Sequence, residues 1–259
     1  MQYSVTYTVL FAAAVCLVCS LVVATAAVTL KDRQIENALL DKQKKVLVVA
    51  GLIPTGKAPS DEEIKNLFAS NLEPRLVDLN SGVYSDVVDP AAYDQSKASR
   101  NPETSREAPS NPAKVRRIPN YGLVYLIKPD DKVEGIVIPV EGMGLWSTLY
   151  GYLALEPDAR TIQGLTFYKH GETPGLGGEV DNPRWKALWP GRLASDEDGT
   201  PKIAVVKGRA GSVSEDPYHV DGLSGATITS NGVTNLMHFW LGKNGFGPYL
   251  DKQRAQGGS

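Results

Sequence analysis

Residues 221–241 read DGLSGATITSNGVTNLMHFWL. The first half crowds glycines, an alanine and hydroxyls together. The second half repeats Val233, Leu236, Met237, Trp240 and Leu241 at helical spacing. The pattern predicts a small-residue loop opening a helix over about Thr229–Leu241, with Thr227 just ahead of it. A helix N-terminus offers unpaired N–H groups and the positive end of a dipole, which favours phosphate. Gly225 and Ala226 let the backbone come close to a ligand. Ser224, Thr227, Thr229 and Ser230 can ligate an anion or simply cap the helix, and capping needs no ligand. Local physics leaves both readings open.

Other chemistries fit less well. A nucleophile elbow requires G-x-S-x-G, and Gly222-Leu223-Ser224-Gly225-Ala226 lacks the last glycine. His170, His219 and His238 stand in no triad context. No Cys/His cluster has metal-ligand spacing, so neither a metal site nor a catalytic acid–base set is expected. Gly51–Lys57 (GLIPTGK) spells GxxxxGK, but Ala58 lacks the hydroxyl for magnesium and Pro59 blocks the helix that should follow.

Upstream, the first 30 residues carry no charged side chain. Their apolar run exceeds the ~20 residues that cross a bilayer as a helix, with Tyr3 and Tyr7 at one end. Ala24-Thr25-Ala26 resembles a signal cleavage site, but no Lys or Arg precedes the run. A retained membrane anchor over residues 1–30 is the expectation. Cys16 and Cys19, the only cysteines, lie inside it, so no disulfide framework staples the rest. A net charge of −2 over 259 residues gives no sign of a nucleic-acid partner.

Residues 31–115 read as a membrane-proximal region. A charged helix runs to Gly51, and Ser60 and Glu63 form a capping box for a helix through about Ser70. Apolar and turn residues mix over 72–88, and a polar, proline-punctuated connection covers 94–114. Residues 116–250 read as an α+β domain with an antiparallel sheet and flanking helices. Strands are expected at 121–127 and 133–140, joined by a Pro129-Asp130-Asp131 turn, and at 145–155, 161–168 and 202–206. A short helix is expected over 183–189, and residues 251–259 read as a tail.

Two more stretches fall within that domain. His170–Gly178 (HGETPGLGG) follows a strand, and Leu176 between glycines can present an apolar surface to a flat heterocycle or sit in an ordinary turn. Glu141–Trp146 (EGMGLW) sets glycines beside an aromatic that suits a shallow pocket or the core.

Together the three stretches resemble the FMN-binding domain family. DGLSGAT matches its flavinylation motif, and HGETPGLGGEVDNPRWKALWPGR and GMGLWS match its flanking blocks. Over nearly its whole length the chain is similar to the C-subunit family of the Na+-translocating NADH:quinone oxidoreductases. The G subunit of Rnf-type complexes shares the motif, but ETPGLGGEVDNPRWKALWPG and the long segment from Lys31 to Lys114 favour the former.

The resemblance implies FMN joined through its phosphate to the Thr227 hydroxyl by a separate flavin transferase that uses FAD and Mg2+. Asp221, Ser224, Gly225 and Ala226 are then recognition residues. Glu172, Thr173, Leu176, Gly177, Leu145 and Trp146 are further flavin contacts, and Lys207 is a cation near the phosphate or flavin, or a solvated lysine. It implies electron relay from NADH toward quinone coupled to Na+ export, among other subunits in a bacterial inner membrane. The chain itself carries no dinucleotide fingerprint. The soluble domain is expected on the periplasmic side, although Lys31 and Arg33 after the apolar run argue the other way; charge orients long domains weakly. A membrane-anchored flavin-binding sensor is the reading from another class.

Overall fold

The computed structural model describes residues 4–54, 59–129 and 132–257. Tyr3, the Asp130-Asp131 part of the expected turn, Thr55–Lys57 of the GLIPTGK stretch and Ala58 after it lie outside them. The chain divides at Lys42/Gln43 into two compact units.

The first unit holds most of α1 (Val5–Val49), a 45-residue helix. Its most apolar window has a mean hydropathy of 2.7, and none of that window is buried. At ~1.5 Å per residue it is long and apolar enough to cross a membrane.

The second unit contains α2 (Asp61–Asn71), β1 (Leu72–Asp78), β2 (Tyr84–Ser85), α3 (Gln95–Arg100), β3 (Ser105–Glu107) and β4 (Arg117–Pro119). There follow β5 (Tyr121–Ile127), β6 (Gly135–Met143), β7 (Thr148–Leu155), β8 (Ile162–Lys169), α4 (Pro183–Lys186), β9 (Ala204–Val205), β10 (His219–Val220), α5 (Thr227–Leu241) and α6 (Gly247–Gly257). One antiparallel sheet has the order β2-β1-β5-β6-β7-β8. α2 opens with the expected capping box: Ser60 accepts from the Glu63 N–H, and Glu63 accepts from the Ser60 N–H.

Several expectations need correction. Residues 72–78 are not apolar residues mixed with turns but a full strand, β1, which pairs with β5 from Leu72↔Ile127 to Asp78↔Tyr121. Pro74 is tolerated because β2 flanks β1 only at Leu76 and Val77, so Pro74 has a strand on one side alone. The connection at 94–114 contains α3, whose N-cap Asp94 accepts from the Lys97 N–H, and β3, which pairs with β4. The strand expected at 202–206 shrinks to two residues, paired parallel to β10 and apart from the main sheet. Partners outside the sheet take up the backbone here: Lys202 and Ile203 donate to the Ala194 carbonyl, and the Val205 N–H donates to Thr234 Oγ1. β7 starts at Thr148 rather than 145. α6 runs across residue 250 to Gly257, in place of the expected tail.

The core lies between the sheet and α5. Val233, Leu236, Met237 and Trp240 of α5 are buried, with Leu149, Leu153 and Phe167 from the facing strands. Two glycines set the approach. A Cβ at Gly142 would stand 2.6 Å from Leu236 Cβ, and one at Gly232 would stand 2.5 Å from the Met143 carbonyl oxygen. The Trp240 indole N–H donates to the Glu141 carbonyl at 2.7 Å, fixing the helix along β6.

Gly142→Ala must push α5 off the sheet. We expect a loss of about 1–3 kcal/mol, as for overpacked cores, read as a fall of several degrees in the thermal midpoint of the detergent-solubilised chain. An unchanged midpoint would mean that the helix does not sit this close.

Candidate functional site

α5 begins at Thr227, one residue inside the helix rather than before it, and its N-cap is Ala226. No side chain caps this end. The neighbouring hydroxyls are placed otherwise. Thr229 donates to Glu172 at 2.6 Å, Ser230 Oγ accepts from the Leu223 N–H at 3.1 Å, and Ser224 and Thr227 face solvent. The first-turn amides therefore have no side-chain acceptor, the condition that makes a helix start receptive to an anion.

Glu172 is the organising group. Its carboxylate is buried and accepts from the backbone N–H groups of Leu145 (3.2 Å), Trp146 (3.0 Å) and Ser147 (3.2 Å), and from the Thr229 hydroxyl. Burial pushes the carboxyl up. The bonds from Thr229 and the three backbone N–H groups outweigh that and hold it below the ordinary carboxylate range. Gly144 and Gly177 make room for it: a Cβ on either would stand 2.7 Å from a carboxylate oxygen. The same loop is tied again where Ser147 Oγ accepts from the Gly171 N–H at 2.6 Å.

Beside Thr227 lies a cavity of about 430 Å³ whose lining includes Lys207, Arg209, Asp221, Ser224, Gly225 and Thr227. Asp221 is a brace within it. Its Oδ1 accepts from the Ala210 N–H at 2.9 Å, and its carbonyl accepts from the Trp185 indole at 2.8 Å, so the Lys207–Arg209 loop stays against the motif. Buried Arg192 holds the far side of that loop by donating to the carbonyls of Gly211, Asp216 and Leu188. Gly225 has a φ of +70° and lies against Leu176, whose Cδ2 is 3.0 Å from where a Cβ would be. A side chain there would strain the backbone and strike Leu176.

The sequence-derived residues thus fall into two sets. Lys207, Asp221, Ser224, Gly225 and Thr227 share the cavity lining; Leu145, Trp146, Thr173 and Leu176 lie outside it, though all four are exposed. Trp146 keeps 68% of its surface exposed and Leu176 45%, and Ile228, in the first turn of α5, is 58% exposed. Glu172, Gly177 and Ala226 are buried and act by shaping the backbone. Sequence reasoning missed Arg209, whose only signal was its place two residues after Lys207. It also missed the Glu172–Thr229 pair. No triad forms about Ser224: His170 contacts Asp181, His219 contacts Asp216, and His238 bonds the Ile203 carbonyl.

The FMN-binding domain family matches residues 144–242, from the loop held by Glu172 to the end of α5. The C subunit of the Na(+)-translocating NADH-quinone reductase of Pseudomonas aeruginosa is 50% identical over 256 residues, covering 98% of this chain and 97% of that protein. The C subunit from Vibrio anguillarum is 48% identical over the same shares of each chain. Among solved structures, Shewanella oneidensis NqrC superposes with a TM-score of 0.74 at 36% identity, covering 82% of this chain and 96% of that one. Near-complete coverage of both chains joins the sheet, α5 and the motif in a single likeness, and the chain belongs to the C-subunit family of the Na(+)-translocating NADH-quinone reductases.

Proposed function

We propose that the Thr227 hydroxyl carries FMN through a phosphoester and that the chain relays electrons from NADH toward quinone, coupled to Na+ export, within its complex. One observation carries the reading: Thr227 stands exposed at an uncapped helix start, in a cavity that also presents Lys207 and Arg209. The helix end and the two cations suit a phosphate. Exposed Leu145, Trp146 and Leu176 offer apolar surface for a ring system. FMN bound there supplies the redox chemistry, and the residues supply position and electrostatics.

A flavin transferase is the proposed maturation partner. The Thr227 oxygen forms a bond to phosphorus as the pyrophosphate bond of FAD breaks; AMP leaves, and the hydroxyl proton passes to solvent. Exposure of Thr227 and small Gly225 beside it give such an enzyme access. Asp221, Ser224, Gly225 and Ala226 are the recognition residues in this reading, and Glu172 and Gly177 position the surrounding loops. The domain is assigned to the periplasmic side of a bacterial inner membrane with α1 as the anchor; the family resemblance supports this side against Lys31 and Arg33.

Co-expressed with the transferase, the wild-type chain is expected to fluoresce under ultraviolet light after denaturing electrophoresis, and Thr227→Ala is expected to stay dark. A fluorescent Thr227→Ala band would remove the site assignment. Thr229→Val is expected to lose about 1.5–3 kcal/mol of stability, the range for a hydrogen bond to a charged group, and to lower flavin loading with it. Because the native Glu172 carboxyl titrates below the ordinary range, its contribution is complete above that range and is lost as pH falls through the native value. Glu172→Gln lacks this acid-sensitive part, so its stability should lie closest to wild type at the acid end of a pH series of thermal midpoints. A constant gap across the series would contradict the buried-carboxylate role.

A further inference from the structure

A second cavity, of about 630 Å³, is larger than the one at Thr227. It lies among α3, the segment before β4 and the β6–β7 hairpin. Arg100, Lys114, Arg116 and Arg117 line it against a single carboxylate, Glu141, in a chain whose net charge is −2. Only Arg117 is committed: it donates twice to Ser105, at 2.8 Å each, and lies 3.9 Å from Glu107. Among the described residues Arg100 hydrogen-bonds the Ser96 hydroxyl alone, at 3.4 Å. Arg100, Lys114 and Arg116 are exposed, and no ion pair engages them among the described residues.

The cations stand on a braced loop. Asn111 donates to the carbonyls of Pro109 (2.8 Å) and Val115 (2.9 Å) and accepts from the Val115 N–H (3.1 Å). Within that clamp Lys114 takes a left-handed backbone, φ 54°, which a glycine would adopt more easily. The Met143 N–H donates to the Ala113 carbonyl at 2.9 Å, joining the loop to the strand that leads into Leu145 and Trp146. Burial pushes the Glu141 carboxyl up, against the pull of Arg100.

We propose that this cavity is the docking site for an acidic segment of a neighbouring subunit of the complex, received by Arg100, Lys114 and Arg116. Complex membership follows from the family and does not depend on the Thr227 assignment. A protein segment fits better than a lipid surface, because the cations line a concavity rather than a flat or convex face. Glu141 in the lining also opposes a bare phosphate and can pair with a donor on a polypeptide. Preorganised charge of this kind sets orientation and association rate more than affinity.

Treating the purified complex with a carbodiimide, which joins lysine amines to carboxylates, tests the proposal. Peptide mass spectrometry should find Lys114 joined to an aspartate or glutamate of another subunit. An Arg100→Glu/Arg116→Glu variant should abolish that product and lower retention of this chain in the complex at moderate salt by about tenfold or more. Its flavin fluorescence and thermal midpoint should be unchanged, which separates failure here from failure at Thr227 or of the fold. The proposal is overturned if Lys114 joins only carboxylates of its own chain. It is equally overturned if charge reversal leaves retention intact and instead abolishes sedimentation with phosphatidylglycerol vesicles.

Discussion

A single buried carboxylate holds the candidate site together. Glu172 gathers three consecutive backbone N–H groups from the β6–β7 loop and the Thr229 hydroxyl of α5. Left without these donors it would be a charge in the interior, so each donor is obliged to stay. The loop that displays Leu145 and Trp146, the loop that displays Leu176 and the helix that begins at Thr227 are fixed to one another by that obligation. Glycines at 144 and 177 leave the volume the carboxylate needs.

The same geometry explains why small residues recur so densely in the motif. Gly142 and Gly232 bring α5 against β6, and Gly225 turns the motif past Leu176. Asp221 and Arg192 then work from outside, holding the loop of Lys207 and Arg209 by its backbone. The hydroxyl proposed to bear the cofactor makes no contribution to this scaffold, since Thr227 is exposed and does not cap its helix. Scaffold and reactive group are separate, so substitution at 227 need not disturb the fold.

Much of this was legible from residue order. β5 matched its expected bounds residue for residue, and the capping box at Ser60 and the helical spacing of Val233, Leu236, Met237 and Trp240 placed α2 and α5. What stayed hidden depended on distant partners. Pro74 and Arg75 break the strand pattern of β1, whose place in the sheet comes from β5 about fifty residues later. Leu145 and Trp146 look like the start of a strand and are held in a loop by a carboxylate beyond two strands. Residues 202–206 carry strand composition, but tertiary hydrogen bonds to Ala194 and Thr234 claim their backbone. The motif marked Thr227, whereas nothing in the order of residues paired Glu172 with Thr229.

The sheet also ends unusually abruptly at β2. Two residues long, that strand is locked by the Tyr84 hydroxyl 2.9 Å from that of Tyr249 on α6. Beyond it the remaining flank of β1 includes Pro74, which has no N–H to offer. A foreign strand therefore finds no continuous row of donors along this rim, and copies crowded together cannot propagate the sheet from molecule to molecule there.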